Sequence, residues 1–192
     1  MAKQVLFIQG AGNKWNPDGS GNLIASLQEK LGSGYEVASP DMPDPDHPQY
    51  EAWRTQIEKE LAALTDDAIL IGHSVGGSVL LKCLAFGAYQ KHIAGLFLVA
   101  APYWGKDADW QIDEFMLPED FTANLPQIAQ IFLYHSRNDE EVPFAHLGHY
   151  QEKLPQATAR ALDGNEHSFK HGLPELVDDI TQSTRNDITL SM

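Results

Sequence analysis

The chain has 192 residues, of which 43% are hydrophobic, and its 27 acidic and 13 basic side chains give a formal net charge of −14. That length fits one globular core, so we expect a single domain over residues 1–192, with the polar segment 184–192 as a frayed tail. The negative charge repels phosphate backbones and anionic bilayers, so we expect neither nucleic acid nor a membrane as a partner.

The first predicted element is the strand 5–8, which lies within the opening segment MAKQVLFIQGAG. Its apolar run is too short for a signal-peptide core or a membrane span. The only cysteine, Cys83, excludes an intrachain disulfide bond. We therefore expect a cytoplasmic protein.

Short aliphatic and β-branched runs recur along the chain, with amphipathic segments between them. Apolar residues at helical spacing near residues 53–64 and 173–180 predict helices that cover a sheet. The alternation predicts an α/β fold with a mostly parallel sheet and helices on both faces. The predicted strands are Val5–Ile8, Tyr35–Ala38, Ala68–Ile71, Ile93–Ala100, Ile128–Tyr134 and Ala157–Leu162.

Two connections are longer than the fold requires. Four prolines stiffen the segment 39–50, so we interpret its acidic residues and His47 as a rigid surface loop rather than a metal site. The segment 102–126 is rich in aromatic residues, which either line a pocket or seal the core. We predict that three of them bound the substrate pocket, namely Tyr103, Trp104 and Trp110.

The segment 72–76 reads Gly-His-Ser-Val-Gly and lies between a predicted strand, AILI, and a predicted helix. This G-x-S-x-G pattern is typical of a nucleophile elbow, in which a sharp turn exposes a serine hydroxyl. The alternative is a glycine-rich turn with a bystander serine. We predict that Ser74 is the nucleophile and that the Val75 amide binds the oxyanion, with a second donor at Ala11 or, as the alternative, Gly12.

A serine nucleophile needs a histidine base and an acid that orients it, in the chain order serine, acid, histidine for this architecture. Asp139 is the first acid after the fifth predicted strand, although Glu140 and Glu141 compete with it. His167 follows the last predicted strand, and its competitors are His135, His146, His149 and His171.

His146 and His149 lie one helical turn apart and could chelate a metal ion. No third ligand is evident from the sequence, so we interpret them as a solvated helix face. We predict no metal site and no cofactor.

The segments VLFIQGAGN, PDMPDP, GHSVGG, SRNDEEVP and GNEHSF together resemble the small capless serine hydrolases of the α/β-hydrolase fold, which include the retinoblastoma-binding-protein-like hydrolases. The resemblance covers nearly the whole chain. It implies a minimal six-stranded sheet without a cap domain, and a triad at Ser74, Asp139 and His167. The retinoblastoma-type motif L-x-C-x-E is absent, because Leu81–Ala85 lacks the acid, so that partner is not implied.

These observations predict a serine hydrolase that cleaves small carboxylic esters, with thioesters or amides as further substrates. The expected partner is a small-molecule acyl substrate, and the oligomeric state is left open. Two alternatives remain. The first alternative is a catalytically silent binding protein that keeps the elbow for structural reasons. The second is an acyltransferase that uses the same triad.

Overall fold

A computed structural model describes residues 2–87 and 89–190 of the chain, with side chains as far as Thr184. Five helices and six strands are present in these residues. The last helix runs to Leu190, and the final two residues of the segment expected to fray lie outside the described residues.

The strands form one fully parallel sheet with the order β2-β1-β3-β4-β5-β6. This architecture confirms the predicted six-stranded α/β-hydrolase fold. The strands are β1 (Lys3–Ile8), β2 (Tyr35–Ala38), β3 (Ala68–His73), β4 (Ile93–Val99), β5 (Ile131–Ser136) and β6 (Thr158–Leu162). The helices are α1 (Gly21–Leu31), α2 (Tyr50–Ala63), α3 (Val75–Phe86), α4 (Ala145–Lys153) and α5 (Pro174–Leu190).

Successive side chains of each strand point to opposite faces of the sheet. In β1, Leu6 and Ile8 therefore join the core under α2, α3 and α4, whereas Val5 and Phe7 join the core under α1 and α5. Every residue of β3, β4 and β5 is buried. The continuous apolar runs in the sequence reflect this burial on both faces.

Five of the six strands differ from the prediction at one or both ends. The smaller differences are that β1 begins at Lys3, β3 continues to His73 and β6 begins at Thr158. β4 ends at Val99 because Ala100 has a positive φ of 48°, which turns the chain out of the sheet. β5 begins at Ile131 rather than Ile128, and it continues to Ser136. Ile128 pairs only through an isolated bridge to Ile93, so the preceding residues approach the sheet without joining the regular ladder.

The long segment 102–126 contains two short 3₁₀ helices, Asp113–Phe115 and Phe121–Asn124, whose phenylalanines are buried. Among the described residues there is no separate cap domain over the sheet. In the same part of the chain, no helix combines the length and hydropathy needed to cross a bilayer.

Candidate active site

Ser74 lies between the last residue of β3 and the first residue of α3, in a strained backbone conformation with φ 52° and ψ −133°. A non-glycine residue seldom adopts this region, so the surrounding structure must hold the turn in place. A Cβ atom on Gly76 would lie 2.1 Å from the carbonyl oxygen of Gln9. The glycine therefore lets the start of α3 pack directly against the end of β1, which leaves Ser74 at the carboxyl edge of the sheet.

The structure brings together the three residues that the sequence analysis assigned to the triad. Nε2 of His167 lies 3.0 Å from Oγ of Ser74, and Nδ1 of His167 lies 2.8 Å from Oδ2 of Asp139. The three residues follow β3, β5 and β6, and parallel strands place their carboxyl ends at one edge of a sheet. This serine–histidine–carboxylate chain has the geometry needed for proton transfer from the serine hydroxyl.

The Asp139 carboxylate is buried, and both of its oxygens have defined partners. Oδ1 accepts hydrogen bonds from the amides of Glu141 and Val142, each at 2.9 Å, while Oδ2 accepts from His167. Burial by itself would raise the pKa of Asp139, but the hydrogen bonds and the charge of His167 outweigh it and hold the pKa below its ordinary value. The carboxylate is therefore ionised at neutral pH.

The two competing acids take other positions. Oε1 of Glu140 lies 3.4 Å from the side-chain nitrogen of Asn165. Oε2 of Glu141 lies 3.6 Å from Nε2 of His167, so this exposed carboxylate approaches the nitrogen that faces Ser74 and not the nitrogen held by Asp139. Neither glutamate takes the place of Asp139 at Nδ1.

The loop after β1 lies against Ser74, because a Cβ atom on Gly10 would lie 3.0 Å from Cβ of Ser74. Ala11 is exposed, and the Val75 amide lies at the start of α3, beside the nucleophile. The Gly12 amide donates to the carbonyl oxygen of Pro45 at 2.7 Å. Since that amide already has an acceptor, the alternative assignment of Gly12 as the second oxyanion donor is not supported.

Lys14 is a structural residue near the site that the sequence analysis missed. Its ammonium group donates to the carbonyl oxygen of Ser39 at 2.9 Å and pairs with Asp41 at 2.8 Å. The lysine, which is 7% exposed, therefore ties the loop after β1 to the proline-rich loop. A lysine in a polar loop carries no sequence signal for this role.

The three aromatic residues predicted to bound the pocket have different environments. Tyr103 is 4% exposed and packs edge-on against Tyr150, so it is a core residue. Trp104 and Trp110 are half-buried and make a T-shaped contact with ring centroids 4.9 Å apart. The Trp104 indole also donates to Oγ of Ser78, in the first turn of α3 and close to the elbow.

The interpretation of His146 as part of a solvated helix face is wrong, because this side chain is completely buried. Its Nδ1 accepts a hydrogen bond from the Tyr103 amide at 2.7 Å, and its Nε2 lies 2.8 Å from Oδ2 of Asp107. Nε2 of His149 lies 3.8 Å from the same oxygen. Because Nδ1 accepts a hydrogen bond, Nε2 of a neutral His146 carries the proton and cannot also bind a metal ion.

The buried histidines predict a loss of stability in mild acid. Burial lowers the pKa of His73 to about 3 and that of His146 to about 4, from an ordinary value of 6.5. Below pH 6.5 the unfolded chain binds protons that the folded chain excludes. We therefore expect each histidine to lower the free energy of unfolding by up to about 1.4 kcal/mol per pH unit as the pH falls toward its folded-state pKa.

Urea unfolding between pH 7 and pH 4.5 measures this effect. The variant His146→Asn keeps an oxygen that can accept from Tyr103 but does not titrate, so its stability should fall less steeply with decreasing pH. The exposed histidine at position 171 provides the control, and His171→Asn should keep the wild-type slope. An unchanged slope in His146→Asn would contradict the prediction.

The chain is similar to known proteins over most of its length. The family model described as serine hydrolase matches residues 15–168. The hydrolase YdeN of Bacillus subtilis (strain 168) is 24% identical over 177 residues, which cover 90% of this chain and 85% of that protein.

The solved structure of the ydeN gene product from B. subtilis superposes with a TM-score of 0.81 at 21% identity, covering 96% of this chain and all of that one. Est1E from Butyrivibrio proteoclasticus superposes with a TM-score of 0.71 at 18% identity, covering 98% of this chain and 89% of that one. At these identities the structural matches support the α/β-hydrolase fold.

Proposed function

Because this chain belongs to the serine hydrolase family, we propose that it cleaves small carboxylic esters through an acyl-enzyme formed on Ser74. The observation that carries the proposal is the continuous path from Oγ of Ser74 through His167 to the ionised Asp139, with separations of 3.0 and 2.8 Å. A hydroxyl at neutral pH is a weak nucleophile, and this arrangement supplies both the base and the group that orients it.

In the proposed reaction, Oγ of Ser74 attacks the ester carbonyl carbon while Nε2 of His167 takes the hydroxyl proton. The tetrahedral oxyanion accepts hydrogen bonds from the Val75 and Ala11 amides. The intermediate collapses, and the leaving alcohol departs with the proton from His167. A water molecule then loses a proton to His167 and attacks the carbonyl carbon of the acyl-enzyme. As the second intermediate collapses, the bond from that carbon to Oγ breaks, His167 returns the proton to Oγ of Ser74, and the carboxylic acid is released.

Thioesters and amides share the same acyl chemistry and are further candidate substrates. A silent binding protein does not require the Ser74–His167–Asp139 geometry, so we place that alternative second. An acyltransferase would use the same residues with an alcohol or thiol in place of water, and product analysis with such acceptors separates the two activities. The retinoblastoma-binding-protein-like subfamily, the single domain over residues 1–192 and the cytoplasmic location stay predictions.

A fluorophosphonate probe tests the proposed nucleophile directly, because it phosphonylates activated serines. We expect stoichiometric labelling of the wild-type chain, located at Ser74 by peptide mass spectrometry, and no labelling of Ser74→Ala. A panel of esters with increasing acyl length would then define the substrate. A folded wild-type chain that neither reacts with the probe nor hydrolyses any ester would contradict the proposal.

We propose that Trp104 and Trp110 bound the acyl pocket, because they are half-buried and Trp104 contacts the first turn of α3. Replacing either tryptophan with alanine should shift the preference toward bulkier acyl groups by about 1 to 3 kcal/mol in relative kcat/KM. The measurement is kcat/KM across the ester panel.

Ile112→Ala is the control for this prediction, since it removes an exposed apolar side chain from the same segment. It should leave the ranking of the esters unchanged. Tryptophan variants that lose thermal stability but keep the wild-type ranking would instead show that these rings only seal the core.

A further inference from the structure

We propose that His73 and Ser20 are positioning residues. They hold the oxyanion loop, by which we mean residues 10–12 after β1, and the backbone at His167 in place relative to the nucleophile Ser74. This inference rests on the proposed function, since it assigns no chemistry to the two residues themselves. Neither belongs to the Ser74–His167–Asp139 triad, although His73 immediately precedes Ser74 in the chain.

A chain of three hydrogen bonds joins the two segments. Oγ of Ser20 accepts from the Gly10 amide at 2.9 Å, and it lies 2.8 Å from Nδ1 of His73. On the other side of the imidazole, Nε2 of His73 lies 2.8 Å from the carbonyl oxygen of His167. The path therefore runs from the residue before Ala11 to the backbone of the proposed base.

The chemistry of these atoms fixes the direction of every hydrogen bond. A carbonyl oxygen only accepts, so Nε2 of His73 must carry a proton. Burial lowers the pKa of His73 to about 3, so the ring is neutral at working pH and its Nδ1 is an acceptor. The Ser20 hydroxyl consequently donates to Nδ1 while it accepts from Gly10, and each of these polar atoms is satisfied.

This chain of hydrogen bonds is shielded from water, since Ser20 and His73 are each 2% exposed. Its central ring also packs beside the imidazole of His167, with ring centroids 5.2 Å apart. Gln9 supports the same loop separately, because its side-chain nitrogen donates to the Gly12 carbonyl at 2.9 Å. The His73 side chain, at the end of β3, thus fixes the positions of both the base and the oxyanion loop relative to the strand that precedes the nucleophile.

Small displacements of reacting groups have large kinetic effects, and a misplacement of about 1 Å can cost about 100-fold in rate. Ser20→Ala removes the hydroxyl that links Gly10 to His73 with little change in volume. We expect it to lower kcat for a model ester by about 10- to 100-fold, with KM within about twofold of wild type, because misplaced oxyanion donors and a misplaced base weaken stabilisation of the transition state more than binding of the ester. The rate constant of fluorophosphonate labelling should fall in parallel.

The variant His73→Gln provides a second and independent test. Its amide can still donate to the His167 carbonyl, but it no longer offers the ring acceptor to Ser20. If the two residues act as one unit, the double variant Ser20→Ala/His73→Gln should be no more than about twofold slower than the slower single variant. If the two substitutions acted independently, their fold-losses in kcat would instead multiply in the double variant.

Ser183→Ala is the matched control, because Ser183 is a buried serine on α5, away from the elbow. Its hydroxyl donates to the side-chain oxygen of Gln130 and to the main-chain carbonyl of Asp179. Ser183→Ala should lower the melting temperature about as much as Ser20→Ala does, while its kcat stays at the wild-type value below the melting temperature.

The outcomes separate this inference from the proposed function. Suppose that the wild-type chain is labelled at Ser74. The positioning role alone would then be overturned if Ser20→Ala kept a kcat near the wild-type value, or if the fold-losses in kcat multiplied in the double variant. A folded wild-type chain without labelling or hydrolysis would overturn the proposed function and this inference with it.

Discussion

Ser74→Ala is expected to lower the turnover of a model ester by about 10⁴- to 10⁶-fold, because it removes the oxygen that forms the acyl-enzyme. The fold should persist, since the change deletes a single oxygen atom from a half-buried residue. The backbone strain at φ 52° stays in the variant and gives no reason for a large change in stability. The measurement is kcat on a chromogenic ester, with the melting temperature as the test of folding.

A second measurement tests whether the triad acts as a unit. His167→Ala and the double variant Ser74→Ala/His167→Ala should lose about as much activity as Ser74→Ala alone, because neither residue functions without the other. Ser183→Ala should keep wild-type turnover. Comparable activity in Ser74→Ala and wild type would refute the proposed mechanism.

Asp139→Asn is expected to lower kcat by about 10³- to 10⁴-fold, because the substitution would hold His167 in the wrong tautomer. Oδ1 of residue 139 accepts two backbone amides, from Glu141 and Val142. An asparagine would therefore keep its oxygen there and turn its NH₂ group toward Nδ1 of His167. That nitrogen would become the acceptor, Nε2 would carry the proton, and the ring could no longer take a proton from Ser74.

Glu140→Gln and Glu141→Gln are the controls for this prediction, because both glutamates were competing candidates for the acid. Glu140→Gln should leave kcat unchanged, and Glu141→Gln should change it by less than about tenfold, since its exposed carboxylate only approaches the ring edge. If either variant lost as much activity as Asp139→Asn, the assignment of the acid would be wrong.

Much of the fold could be predicted because its signals are local. The fully buried strands β3, β4 and β5 appear in the sequence as continuous apolar runs, and β2 was predicted with its observed bounds, Tyr35–Ala38. The boundaries that shifted depend on pairing with a neighbour. Ile128 has the composition of a strand residue, but only Ile131 and the residues after it join the regular ladder with β4.

The sequence by itself determined the parallel sheet and the elbow around Ser74, because a strand, a tight turn and a helix are specified by consecutive residues. The tertiary structure decided which distant groups meet: Asp139 rather than a glutamate at His167, Pro45 at the Gly12 amide, and the Tyr103 amide at His146. Such contacts depend on how separate loops pack at the carboxyl edge of the sheet. The polar atoms that share a buried space must satisfy one another, and no local pattern in the chain records that requirement.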